Sequence, residues 1–153
     1  MKGENKIMNK EILSEKNIVL NVPSESKDEA IERVGKLLVK NGYVKENYIE
    51  GMKAREEEVT TYMGNGVAIP HGMNEYKKQI LKTGIVIAQY PGGVDFGEEN
   101  TAYIVIGIAG KGDDHMEILS SIALTVQYEE NVEKLRNAKT EQEIIEIIEK
   151  GDN

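Results

Sequence analysis

The chain has no cysteine, no tryptophan, one phenylalanine, three prolines and two histidines in 153 residues. Without cysteine there is no disulfide, no thiolate nucleophile and no thiolate metal ligand, a composition that fits a cytosolic protein. Long apolar runs are missing too. The longest, AYIVIGIAG at 102–110, is far short of the roughly 20 residues that span a bilayer, and the polar opening MKGENKIMNKEILSEKN lacks the apolar centre of a secretory signal. Positive charge is in deficit: 19 Lys and Arg face 27 Asp and Glu, a formal net charge of −8. That balance argues against a general nucleic-acid binder and against anionic membrane surfaces, and it suits a partner with a basic face. With aromatics at 5%, the core must rest on Ile, Val, Leu, Met and Ala.

What is present alternates between strand and helix patterns. NIVLNV at 17–22 reads as a short β-branched strand. The following segment has a Ser- and Asp-rich start and an apolar stripe at Ala30, Ile31, Val34, Leu37 and Leu38, then stops at Asn41-Gly42, the pattern of a helix closed by a left-handed cap. A second helix is predicted over 45–58, with Tyr48, Met52 and Arg55 near one face. GVAIP at 66–70 is a short strand that Pro70 must end or push to an edge. TGIVIAQY at 83–90 and TAYIVIGIA at 101–109 are near-continuous apolar runs, as expected of strands covered on both faces, with PGGVDFGEEN between them read as a loop. An amphipathic helix starts near Asp113, and two short helices around 131–137 and 140–151 finish the chain. The expectation is one α/β domain over 1–153, preceded by a polar lead of about 1–12, with a mixed sheet flanked by helices on both faces.

Few segments carry chemistry. GIAGKGDD at 107–114 has a Gly-Lys pair, but Gly112 stands where a phosphate loop needs Ser or Thr, so a turn is the reading. His71 with Glu75, and His115 with Asp113, Asp114 and Glu117, allow a two-histidine, one-carboxylate metal site to be drawn, yet neither histidine has a recognised ligand spacing. GNGVAIPHG at 64–72 is more informative. Pro70 fixes its own backbone and biases Ile69 to extended conformations, while Gly72 leaves room for a second body near the imidazole. His71 thus stands at a strand end on a rigid base, where sites of open α/β sheets collect. Two readings fit: a loop histidine stabilising a turn, or a neutral imidazole serving as nucleophile. Arg55 fits a solvated ion pair with Glu50 or Glu58 as well as an anion site, and His115 fits a neutral residue at a helix start.

Taken together, NGYVKENYIEGMKARE, TYMGNGVAIPHG, LKTGIVIAQYPGGVDFG and VIGIAGKGDDHMEILSSIA resemble the mannitol-type enzyme IIA component of the bacterial phosphoenolpyruvate-dependent sugar phosphotransferase system. The resemblance covers nearly the whole chain. It implies that His71 is the phosphorylated residue, taking a phosphoryl group from the carrier protein HPr and passing it to a cysteine on the enzyme IIB domain of the mannitol permease. Arg55 and His115 match the family's supporting arginine and second histidine: the guanidinium fork suits phosphate oxygens, and the imidazole offers a hydrogen bond to the phosphoryl group. Asn65 stands where certain relatives carry glutamate, and two readings fit it: help in orienting His71, or a left-handed turn residue before Gly66. The resemblance implies Nε2 as the phosphorylated nitrogen, no cofactor or metal, no direct membrane insertion and a cytoplasmic location. Met63, Met73 and Val67 are candidates for the apolar part of a docking rim, with core packing the rival for Val67. A regulatory phosphoprotein of the nitrogen-regulatory or regulator-associated type, signalling through phospho-His71, is the alternative function.

Overall fold

The computed structural model describes residues 9–150; the first eight residues of the expected polar lead lie outside the described residues. The end of that lead is not polar in role, since Ile12 and Leu13 are buried in the core. Five strands form one sheet: β1 (Ile18–Val19), β2 (Tyr62–Gly64), β3 (Val67–Ala68), β4 (Gly84–Asp95) and β5 (Thr101–Ala109). Their spatial order is β1-β4-β5-β3-β2. β1 runs parallel to β4, β4 antiparallel to β5, β3 parallel to β5 and β2 antiparallel to β3. The helices are α1 (Lys27–Lys40), α2 (Tyr48–Glu58), α3 (Asp114–Val126), α4 (Glu129–Asn137) and α5 (Glu141–Lys150).

The alternation of side chains along β4 and β5 sorts them onto two faces. Ile85, Ile87, Ile104, Ile106 and Ile108 pack with residues of α3, α4 and α5. Val86, Ala88, Tyr90, Val105 and Ala109 pack with α1 and α2 on the other side. Burial on both faces is why these strands read as unbroken apolar runs. The mixed sheet with helices on both faces is as expected.

Local signals explain the helix ends. Ser26 accepts from the Glu29 N–H and Glu29 returns a bond to the Ser26 N–H, a reciprocal capping box that opens α1. Gly42, at φ +85°, supplies the left-handed turn after it. The segment 91–95 departs from expectation, because β4 continues through it instead of looping. The ladder to β5 shifts register between Gln89 and Val94, and Pro91 falls inside that irregularity, where its missing N–H breaks no rung.

Candidate functional site

β3 and β5 are parallel, so their C-terminal ends lie together, and His71 stands there. Its backbone bridges Ile108 of β5, and the Ile108 N–H donates to the Pro70 carbonyl at 3.0 Å. Pro70 ends the strand without releasing it. The residue is 8% exposed. Its Nδ1 lies 2.8 Å from the Ile69 carbonyl oxygen, an acceptor only, so Nδ1 carries the hydrogen and Nε2 keeps its lone pair.

Tyr48, at the start of α2, fixes the backbone just after His71. Its hydroxyl accepts from the Gly72 N–H at 2.8 Å and donates to the Ile108 carbonyl at 2.8 Å. A Cβ on Gly72 would lie 2.5 Å from the Tyr48 ring. Gly72 therefore makes room for Tyr48 and not for an incoming partner, which corrects the expectation for that glycine. Burial pushes the Tyr48 hydroxyl up to about 12, with the Gly72 N–H acting against it, so it stays a neutral strut.

His115 enters from α3. Its ring centroid is 5.1 Å from that of His71, with the planes inclined by 60°. Thr83 donates to the Asp114 carboxylate at 2.7 Å and accepts from the Lys111 N–H at 3.0 Å, pinning the helix start to the beginning of β4. The segment 111–113 is a turn, with Gly112 at φ +61°. Gly110 has no Cβ to meet the His115 backbone, where the gap would be 2.4 Å.

Arg55 lies in the last turn of α2 and donates from one guanidinium nitrogen to the Val59 carbonyl. That bond anchors one side of the fork and leaves the remaining donors for a ligand. Burial lowers the His71 pKa; the Ile69 bond and the Glu56 carboxylate oppose this, and the charges of His115 and Arg55 add to the lowering. Burial also lowers His115, with Lys77 and Arg55 adding to it. Two neutral imidazoles thus stand within the field of Arg55, with Lys77 near His115. Lys77 belongs to the short 3-10 turn Asn74–Gln79 and was not singled out from sequence, where KK in a polar stretch looks like any solvated pair.

Asn65 does not join this group. It precedes β3 at the opposite end of the strand from His71, at φ +53°. Its side-chain amide donates to the carbonyls of Val126 and Gln127 at the C-terminal end of α3, at 3.1 and 3.2 Å. The orienting role is therefore corrected: Ile69 holds the imidazole, and Asn65 is a turn residue that caps a helix. Among the apolar candidates Val67 is fully buried core, whereas Met63 is exposed. Val59 and Met116 are also exposed, the first bonded to Arg55 and the second adjacent to His115. Among the described residues no three His, Asp or Glu side chains come together as a metal site, and no helix is long and apolar enough to cross a membrane.

A neutral histidine with one nitrogen tied down stands at the end of a parallel strand pair beside a guanidinium and a second imidazole, in an α/β domain with one imidazole nitrogen left free to react. The chain belongs to the family described as phosphoenolpyruvate-dependent sugar phosphotransferase system, EIIA 2, whose model matches residues 11–151. It is 50% identical over 138 residues to the mannitol-specific phosphotransferase enzyme IIA component of Bacillus subtilis, covering 90% of this chain and 96% of that one. The crystal structure of IIA mannitol from Escherichia coli superposes with a TM-score of 0.83 at 39% identity, over 89% of this chain and 98% of that one. The Escherichia coli complex of enzyme IIA-MTL with phosphorylated enzyme IIB-MTL gives 0.84 at 38% identity, over 89% and 96%.

Proposed function

We propose that this chain is the phosphoryl carrier of a mannitol uptake system, accepting the group on His71 from phospho-HPr and delivering it to the cysteine of the permease's enzyme IIB domain. The observation that carries the reading is the Nδ1 hydrogen bond to Ile69, which leaves Nε2 as a neutral, aimed nucleophile beside Arg55 and His115. In the first transfer the Nε2 lone pair attacks phosphorus, a P–N bond forms, and the donor's P–N bond breaks as its imidazole departs with the electron pair. The Nδ1 proton stays in place. The ring gains positive character as the bond forms, and the Ile69 carbonyl stabilises it. Arg55 takes the phosphoryl oxygens and His115 donates to one of them; with little covalent work to do, positioning and charge supply the catalysis. In the second transfer the partner's thiolate attacks phosphorus and Nε2 leaves with its pair, restoring the starting imidazole.

Both partners must reach a histidine that is 8% exposed, so each docks directly over the strand end, on a surface where Val59 and Met116 supply apolar contact. Exchange between two partners calls for a small, weak interface. The relay operates in the cytoplasm. The regulatory alternative uses the same histidine and differs in the acceptor.

The test is incubation with phosphoenolpyruvate, enzyme I and HPr, read by intact mass and acid lability, followed by complementation of mannitol uptake in a strain lacking only this component. One acid-labile phosphate that disappears in His71→Ala and forms more slowly in His115→Ala, with uptake restored, is the expected result. No phosphate on the wild-type protein overturns the reading. Phosphorylation without restored uptake transfers it to the regulatory alternative.

A further inference from the structure

One buried carboxylate lies beside this site, and its charge is felt by His71. Glu56, next in sequence to Arg55, is only 6% exposed. Its carboxylate accepts from the Thr61 N–H at 2.9 Å, from the Thr61 hydroxyl at 2.6 Å and from the Thr60 hydroxyl. The Lys27 ammonium stands 3.7 Å away. A buried carboxylate is costly unless its oxygens are satisfied, and these bonds satisfy it by drawing the first residues of the β2 segment onto the last turn of α2. The connection continues. The Thr61 carbonyl accepts from the Ile69 N–H at 3.0 Å, and the Ile69 carbonyl is the group that holds His71 Nδ1. Glu56 thus joins the helix turn that carries Arg55 to the strand that carries His71, through Thr61 and Ile69.

We propose that Glu56 is a positioning residue for phosphoryl transfer, setting the Arg55 fork and the His71 ring in one fixed relation through the Thr61–Ile69 connection; this rests on His71 being the phosphoryl acceptor. Glu56 touches neither the phosphoryl group nor the partner. Its contribution is to keep the Ile69 carbonyl aimed at Nδ1, and so Nε2 aimed outward, while Arg55 keeps its place. Misplacing a reacting group by about 1 Å costs on the order of a hundredfold in rate.

The experiment compares Glu56→Ala, Glu56→Gln and Thr61→Val with wild type. Two readouts are taken: the imidazole 15N shifts of His71 in the unphosphorylated protein, and kcat and KM for phosphorylation by phospho-HPr. Glu56→Ala is expected to mix the two His71 tautomers and to lower kcat about tenfold to a hundredfold, with KM little changed because the residue is buried away from the docking surface. Glu56→Gln keeps an acceptor for Thr61 and a donor for the Thr60 hydroxyl, so it rescues the tautomer and most of kcat. Thr61→Val, which removes one hydroxyl bond and keeps the backbone, lowers kcat about fivefold and partly mixes the tautomers. A folded Glu56→Ala with wild-type tautomer and kcat overturns the proposal. Should Glu56→Ala not fold, wild-type values in Thr61→Val overturn it instead. The 15N readout needs no phosphate, so a wild-type protein that is not phosphorylated sinks the acceptor reading while the positioning connection is still measured.

Discussion

His71 and Ile69 are two residues apart, and the ring of one is held by the carbonyl of the other at 2.8 Å. Pro70 between them makes this short connection rigid. The bond selects the Nδ1–H tautomer, so on the proposed function phosphate is expected to enter at Nε2. In 15N spectra the unphosphorylated protein should show a protonated Nδ1 and an unprotonated Nε2 near neutral pH. After phosphorylation, phosphorus coupling should fall on Nε2. Coupling to Nδ1 would mean that the Ile69 bond breaks before transfer and does not orient it.

The low pKa of both imidazoles has a consequence for stability. Burial holds His71 and His115 below the ordinary histidine value, so as pH falls the unfolded chain binds protons before the folded one does. The stability contributed by the neutral rings is complete above the unfolded value of about 6.5 and is lost as pH drops from there through the folded values. Glu25 and Glu32 are held below the usual carboxylate range by Arg33 and Lys53 respectively and stay ionised in that window. The thermal midpoint of the wild type should therefore decline between about pH 7 and pH 5.5, and a His71→Gln, His115→Gln double variant should decline less. Equal slopes would show that the two rings titrate alike in folded and unfolded chains.

The parts of this protein governed by local rules were readable from sequence. The α1 stripe with its stop at Asn41-Gly42, the doubly covered strands β4 and β5, and the Pro-His-Gly element at a strand end all arise from residues adjacent in the chain. What escaped depends on partners distant in sequence. Val94 and Asp95 pair with Ala102 and Thr101 of β5 because a register shift absorbs Pro91, which no composition rule reports. Gly72 answers to Tyr48, which lies 24 residues earlier. Asn65 answers to the end of α3, 61 residues later. Glu56 is the first of three consecutive glutamates at 56–58, and only the fold turns it inward.

Tyr48 ties Gly72 and Ile108 together, so its hydroxyl should matter beyond its ring. Tyr48→Phe leaves the Gly72 N–H and the Ile108 carbonyl without that partner, at a cost of about 1–3 kcal/mol for each group that water does not reach. Denaturant unfolding measures the loss, and a slower phosphorylation rate should accompany it because the backbone after His71 is freed. Gly72→Ala should produce the same rate defect by a different route, since its Cβ would meet the ring at 2.5 Å and force it aside. A Gly72→Ala protein with the wild-type rate would show that the Tyr48 contact does not hold His71.

Asn65 separates structural from catalytic importance. Its backbone, at φ +53°, is one that asparagine and glycine tolerate better than other residues, and its side chain caps the end of α3. Asn65→Gly keeps the turn and loses the cap, for about 1 kcal/mol. Asn65→Ala loses the cap and adds about 1–2 kcal/mol of backbone strain. Both variants should phosphorylate at the wild-type rate under conditions where they are folded, because the residue lies at the far end of β3 from His71. Asn65→Asp replaces the donating amide with a carboxylate beside two carbonyl oxygens, so it should be less stable than Asn65→Gly and equally active. A rate defect in Asn65→Gly at full foldedness would restore this residue to the site; stability loss in the order Ala over Gly, with unchanged rate, places its role wholly in the turn.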